Sequence, residues 1–214
     1  MEFHPISWYN MLNDKEIFRE DTMPVSAGKN RFTYNDYMTW AESERWELIN
    51  GKAYNMTPAP NLEHQNMGGS IYRKIADFLE GKECEVYIAP VDVVLSDSDI
   101  VQPDVVIVCD PNKLTKKNFQ GAPDVVFEIL SPNTAIKDRA EKRDLYERYG
   151  VKEYCLVEPK GRFVEKYVLA KSGTFAKSQI FGEKDRRALQ SLPGFTLDIQ
   201  ALFGTQTKAK PEEK

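Results

Sequence analysis

The sequence is poor in the residues that build two common kinds of site. Its only histidines are His4 and His64, which excludes a histidine-rich metal centre and leaves His64 as the sole realistic histidine base. The three cysteines, Cys84, Cys109 and Cys155, lie far apart in apolar segments and lack the CxxC spacing of a zinc site. We therefore predict three unpaired, buried thiols and expect carboxylates to carry any chemistry.

Long apolar runs and an excess of positive charge are also missing. No run approaches the ~20 apolar residues that cross a bilayer, and residues 1–10 lack a positive segment followed by an apolar one. The sequence therefore predicts a cytoplasmic protein with no membrane partner. The formal net charge of −4 argues against coating nucleic acid through bulk electrostatics, but it leaves room for a local basic patch.

The length and composition predict a single folded domain. With 41% hydrophobic residues among 214, the chain can bury one substantial core. We place this domain at residues 31–204. An N-terminal extension (1–30) precedes it, and a flexible polar tail (205–214) follows.

Hydrophobic periodicity and turn residues predict alternating strands and helices. Thr33 and Asp36 indicate a short helix that ends near Glu44, and Asn50-Gly51 is typical of a two-residue hairpin turn. A strand, a helix and a second strand over 125–157 predict a right-handed crossover with parallel strands. Further predictions are an amphipathic helix at 62–79, an antiparallel meander of strands at 85–88, 91–95 and 105–108, a hairpin at 163–169 and 175–181, and a closing helix at 197–203.

Two carboxylates interrupt apolar strands. Asp104 opens one strand and Glu128 stands inside another, so both are directed toward a core that excludes unpaired charge. A hard divalent cation such as Mg²⁺ would compensate, because it prefers oxygen ligands. The structural alternative is that Asp104 caps a turn while Glu128 pairs with a basic side chain.

The following helix offers such a basic side chain. Asp138, Lys142, Leu145 and Tyr149 recur at helical spacing, which places Lys142 on the apolar face that packs near Glu128. The alternative is an ordinary Asp138 to Lys142 pair on the helix, worth only ~0.3–0.5 kcal/mol.

Several motifs occur together in a fixed order. They are WELING at 46–51, His64 in the long helix, QPD at 102–104, FEILSP at 127–132, DRAEK at 138–142 and GVKEY at 150–154. Together they resemble the Uma family of putative restriction endonucleases, within the PD-(D/E)xK nuclease superfamily. The resemblance covers roughly residues 31–203.

The resemblance implies a restriction-endonuclease-like α/β core, in which a central mixed β-sheet is flanked by helices and carries accessory β-hairpins. It also implies that Asp104 and Glu128 bind Mg²⁺, with Mn²⁺ as a substitute, and that Glu47 adds a third acidic group. The chain departs from the superfamily at Leu130, where a lysine usually stands. In the Uma family that lysine lies in the next helix, which matches Lys142.

The expected activity is metal-dependent endonucleolytic hydrolysis of a nucleic acid, taken to be DNA. His64 could contact substrate or metal, although a structural role is the alternative. The basic loop with Lys113, Lys116 and Lys117 could meet the phosphate backbone or be merely solvated. Cleavage of both strands would suit a homodimer.

The alternative function is a catalytically inactive nuclease fold that binds nucleic acid or protein. A cysteine hydrolase built on Cys155 is disfavoured, because its only candidate base is remote in sequence. Asp92 could extend the acidic cluster or face a turn.

Overall fold

The computed structural model describes residues 31–41, 44–56, 59–132 and 134–203, so the predicted extension (1–30) and tail (205–214) lie outside the described residues. The helices are α1 (Tyr34–Tyr37), α2 (Leu62–Leu79), α3 (Ala135–Lys137), α4 (Arg143–Tyr149) and α5 (Ile199–Phe203). A π-helical turn (Asp138–Lys142) joins α3 to α4, and a 3₁₀ turn (Pro111–Lys113) lies between two strands.

The strands are β1 (Trp46–Ile49), β2 (Lys52–Asn55), β3 (Glu85–Ile88), β4 (Val93–Ser96), β5 (Asp99–Val101), β6 (Val105–Val108), β7 (Phe119–Gln120), β8 (Val125–Ile129), β9 (Glu153–Glu158), β10 (Phe163–Val168), β11 (Gln179–Gly182), β12 (Arg186–Ala188) and β13 (Thr196–Asp198). They form a six-stranded sheet, β11-β10-β9-β8-β6-β3, a five-stranded sheet, β2-β1-β5-β4-β7, and the pair β12-β13.

The six-stranded sheet is the centre of the molecule and confirms the predicted mixed α/β fold. Helix α2 packs on one face, where Ile71 and Ile75 meet Phe127. Leu145 of α4 packs on the opposite face against Val126 and its neighbours, and the five-stranded sheet closes this second core. Because side chains alternate along a strand, Glu128 is directed into the second core.

The predicted crossover and both hairpins are confirmed. Strands β8 and β9 run parallel, β10 and β11 pair antiparallel, and β1 and β2 pair antiparallel. Asn50 and Gly51 have φ angles of 53° and 75°, as a type I′ turn requires. Gly150 ends α4 at φ 80°, a left-handed conformation that stops the helix.

Three predicted elements differ in detail. The meander is wrong, because β3 pairs with β6 while β4 and β5 pair with each other in the other sheet. Helix α1 ends at Tyr37, and Trp40 beyond it packs against Phe32 and Trp46. The closing helix starts only at Ile199, since Thr196–Asp198 forms β13.

The prediction of three unpaired thiols is also wrong. Cys84 and Cys109 form a disulfide across 25 residues of sequence. The register Glu85↔Val108 explains it, because the next positions along β3 and β6 lie opposite each other. Cys155 is buried and free, as expected.

The helices offer no membrane span: in the described part of the chain, none combines the necessary length with an apolar composition. The longest of them, α2, has 18 residues and is amphipathic, with one buried face and one polar face.

Two glycines test the balance between helix propensity and backbone conformation. Gly69 lies inside α2, and a methyl group there would meet nothing within 4 Å, so Gly69→Ala should raise the free energy of unfolding. We expect a gain of ~1 kcal/mol, the usual difference in helix propensity between glycine and alanine.

Gly150→Ala should lower the free energy of unfolding by ~1–2 kcal/mol, because alanine disfavours left-handed φ. Urea unfolding measures both, and equal effects would contradict the assignment of Gly150 as a helix stop.

Candidate active site

A buried lysine lies at the junction of the two sheets. Lys142 Nζ is 2.7 Å from Glu47 Oε1 and 2.8 Å from Glu128 Oε1. Glu47 comes from β1 of the five-stranded sheet, and Glu128 from β8 of the six-stranded sheet. The lysine side chain is 1% exposed. One ammonium group therefore joins both sheets through two carboxylates.

The helical segment after β8 positions this lysine together with two neighbours. Asp138 Oδ1 lies 3.8 Å from Lys142 Nζ, and the Tyr146 hydroxyl donates to Glu128 Oε1 at 2.9 Å. These three residues are four apart in sequence and project to one face. Lys142 and Tyr146 both contact Glu128 Oε1, whereas the nearby carboxylate of Asp138 opposes the ionisation of Glu128.

A second lysine reaches the same cluster. Lys137 Nζ lies 2.8 Å from Glu47 Oε2, and the backbone N–H of Gln102 donates to Glu47 Oε1 at 2.9 Å. The Lys137 side chain is 13% exposed, against 1% for Lys142. Glu47 is thus held between two ammonium groups, one on a fully buried side chain and one on a partly buried side chain.

The π-helical turn explains how both lysines reach one carboxylate. In an α-helix of 3.6 residues per turn, side chains five apart diverge by roughly 140°. A π-turn closes its hydrogen bonds five residues apart, which brings such side chains to the same side. The turn spans Asp138–Lys142, and π-turns are frequent at functional sites.

Asp104 lies beside this cluster with a different set of partners. Its Oδ2 accepts from the Ile129 backbone N–H at 2.7 Å and lies 3.2 Å from His64 Nε2. Burial alone would lower the pKa of His64, but the hydrogen bond and charge of Asp104 raise it above its usual value. The structure therefore brings His64, from α2, to the carboxylate immediately before β6.

The cluster contains more carboxyl groups than ammonium groups. Among the described residues, the ion-pair partners of Glu47, Glu128 and Asp138 are Lys137 and Lys142. Burial raises the pKa of Glu128 to about 8; Lys142 opposes this rise, and nearby carboxylates add to it. Burial would also raise the pKa of Glu47, but the two lysines reverse the shift and lower it. Glu128 is thus short of positive charge although Lys142 contacts it, and burial raises the pKa of Asp138 as well.

A hard divalent cation fits this shortage of positive charge. In the described residues, no three His, Cys, Asp or Glu side chains are gathered so as to hold a metal ion by themselves. Mg²⁺ commonly binds through only one or two carboxylates, with water and substrate oxygens completing its shell. The oxygen donors of Asp104 and Glu128 match that chemistry, whereas Glu47 is already engaged by two lysines.

Two clefts lie near this site, and His64 borders both. The larger, about 270 Å³, lies between the start of α2, the β8–α3 turn with Ser131 and Pro132, and the β9–β10 turn. The smaller, about 60 Å³, contains Asp104 and Arg45. His64 is therefore shared by both clefts and contacts Asp104 in the smaller one.

Other residues considered from the sequence lie apart from the cluster. Lys116 and Lys117 are exposed in the turn before β7, and none of their described contacts reaches the carboxylates. Lys113 donates to the Ala122 carbonyl at 2.7 Å. Asp92 accepts from Tyr37 and Gln102, so it supports the site from outside.

Three contributors went unrecognised in the sequence. Tyr146 is four residues after Lys142, a spacing that could have revealed its link to Glu128. Lys137 could not be found in this way, because the π-turn breaks helical periodicity. Arg45 and its anchor Gln102 are 57 residues apart, and no local pattern connects them.

The chain is similar to known proteins in sequence and in fold. The chain is 25% identical over 182 residues to an uncharacterised protein of Synechocystis sp., covering 83% of this chain and 94% of that protein. The crystal structure of a putative nuclease belonging to DUF820 from Anabaena variabilis superposes with a TM-score of 0.68. At 17% identity it covers 80% of this chain and 97% of the other, which shows a shared fold.

A family model described as "Putative restriction endonuclease" matches residues 34–200, which contain every residue of the carboxylate and lysine cluster. This match spans well over half of the chain and agrees with the motifs seen in the sequence. The protein therefore belongs to the Uma2 family of putative restriction endonucleases.

Proposed function

We propose that this protein is a Mg²⁺-dependent endonuclease that hydrolyses phosphodiester bonds in DNA. The observation that carries the proposal is the pair of carboxylates on adjoining strands: Asp104 accepts from the N–H of Ile129, the residue after Glu128, and Glu128 contacts Lys142. Family membership supports a nuclease. The choice of metal and of DNA rests on the chemistry of the site.

Asp104 and Glu128 would hold the cation, which when bound lowers the pKa of a coordinated water and offsets charge on the phosphate. Lys142 fixes the orientation of Glu128 and lies within hydrogen-bond range of its Oε1, where it can also orient the attacking water. Glu47 holds Lys142 in place from the opposite sheet. His64 lies at the entrance to both clefts, where it can contact the substrate.

A nucleic acid would enter through the larger cleft. Its wall combines apolar surface from Leu130 and Pro132 with charged side chains of both signs, Lys160 against Glu63 and Glu158. The apolar surface suits the face of a base, and Lys160 offers a positive charge to the backbone. Cutting both strands of a duplex needs two sites, which a homodimer would provide.

One observation favours a second candidate, a nuclease fold that binds nucleic acid or protein without cutting. Glu47 already has two ammonium partners and Glu128 has one, as in a purely structural ion-pair network. In that case neither carboxylate would need a metal ion. The same experiments separate the two functions.

Plasmid nicking tests the catalytic proposal. Wild type with Mg²⁺ or Mn²⁺ should nick supercoiled DNA, and Asp104→Asn and Glu128→Gln should each reduce the rate roughly 100- to 1,000-fold or more, as losing one preorganised electrostatic group does. Calorimetry should show divalent-ion binding to wild type and its loss in Glu128→Gln.

Asp77→Asn, on the exposed face of α2, is the matched control and should nick at the wild-type rate. Equal nicking by all four proteins would place the activity elsewhere. A folded wild type that neither nicks DNA nor binds millimolar Mg²⁺ would support the non-catalytic candidate.

Stability measured against pH in EDTA tests the charge shortage at Glu128. Its pKa of about 8 in the folded protein lies above the ordinary Glu value. The contribution from its bound proton is therefore complete below pH ~4.3 and is lost as pH rises through the folded pKa. We expect the free energy of unfolding of wild type to fall between pH ~4.3 and ~8, by at most ~1.4 kcal/mol per pH unit, and to level off above the folded pKa.

Glu128→Gln keeps an oxygen that can accept from Lys142 and Tyr146 but has no proton to lose, so its curve should be flatter over this interval. The exposed Glu80→Gln serves as the control and should follow wild type. Parallel curves for wild type and Glu128→Gln would show that Glu128 is already ionised at neutral pH.

A further inference from the structure

The smaller cleft contains one permanent positive charge. Arg45 borders it together with Asp104 and His64, and the remaining described residues of its lining are uncharged. The cleft measures about 60 Å³. Since one water needs roughly 10–15 Å³ of such space, the cleft suits a few waters or a single phosphoryl group, and it is too small for a nucleobase.

A chain of hydrogen bonds fixes the guanidinium of Arg45. Its Nε donates to Gln102 Oε1 at 3.0 Å, and Gln102 Nε2 donates to Asp92 Oδ1 at 2.8 Å. Asp92 also accepts from the Tyr37 hydroxyl at 2.8 Å. The amide of Gln102 can therefore point only one way, with its oxygen toward Arg45. This arrangement positions the arginine without neutralising it.

The two terminal amino groups of the Arg45 guanidinium can still donate hydrogen bonds. Arginine carries five N–H donors in a planar fork, and Gln102 takes only the one on Nε. Over residues 31–41, 44–56, 59–132 and 134–203, nothing pairs with the two terminal amino groups, and Arg45 has no ion-pair partner. By contrast, Lys137 and Lys142 are both bound to Glu47.

We propose that Arg45 is the phosphate-binding residue of this site, and that its two terminal amino groups receive a backbone phosphate of the nucleic acid beside Asp104. The fork of a guanidinium matches two phosphate oxygens, which a lysine ammonium does not. The phosphate would lie next to the carboxylate that is proposed to hold the cation. This assignment rests on the proposed nuclease function and names the group that holds its substrate.

Oligonucleotide binding at several salt concentrations in EDTA tests this role without catalysis. The proteins are wild type, Arg45→Met, Arg45→Lys and the control Arg73→Met, an exposed arginine of α2 without a described contact. The probe is a short fluorescent DNA duplex. Arg45→Met should bind roughly 10- to 100-fold more weakly, the range for losing hydrogen bonds to a charged group. Its plot of log binding constant against log salt should be shallower by ~0.9, the value for one phosphate contact.

Arg45→Lys keeps the charge and should keep the salt slope, but it should bind more weakly than wild type because the fork is lost. Arg73→Met should match wild type in both affinity and slope. Unchanged affinity in a folded Arg45→Met, or weaker binding with an unchanged slope, would overturn the assignment. If Arg45→Met does not fold, wild-type affinity in Arg45→Lys would overturn it.

Asp104→Asn separates this proposal from the nuclease proposal. In EDTA it should bind the duplex at least as well as wild type, since it removes a negative charge beside the phosphate. In Mg²⁺ it should lose cleavage, whereas Arg45→Met should raise KM more than it lowers kcat. Loss of binding in Arg45→Met when wild type does not cut DNA would support the phosphate site and reject the nuclease. A wild type that binds no duplex would overturn the phosphate site.

Discussion

The ammonium group of Lys142 is the interaction on which the rest of this structure depends. It is buried where the two sheets meet and contacts one carboxylate from each, Glu47 and Glu128. Removing one partner of a buried pair leaves an uncompensated charge, a loss of ~3–5 kcal/mol. The strand positions, the crossover helix and the packing between the sheets are therefore linked through one nitrogen atom.

The same cluster has fewer ammonium groups than carboxyl groups, and this shortage of positive charge connects the fold to the proposed function. Burial and neighbouring carboxylates leave Glu128 with a raised pKa although Lys142 contacts it directly. A protein that needed only stability could have filled this junction with apolar side chains, because buried ion pairs are often no better than hydrophobic replacements. The excess of carboxyl over ammonium groups beside Asp104 is what a metal-dependent phosphodiesterase would use, and Arg45 would supply the matching contact to phosphate.

Much of the architecture could be predicted because it depends on local patterns. The crossover over 125–157 followed from two apolar strands around an amphipathic helix, and the β1–β2 hairpin followed from Asn50-Gly51. The exceptions involve pairing between distant segments. Strand β6 lies between β3 and β8, so the expected meander does not form, and Cys84 and Cys109 meet across that pairing.

The sequence by itself determined that Asp104 and Glu128 project from buried strands and that Lys142 lies on the buried helix face, because strand alternation and helix periodicity are short-range properties. Only the tertiary structure decided which groups meet them. The π-turn brings Lys137 to Glu47 against normal helical spacing, and the packing of β1 beside β5 places Arg45 near Gln102. These contacts depend on how distant segments pack, and no short-range pattern in the sequence predicts that packing.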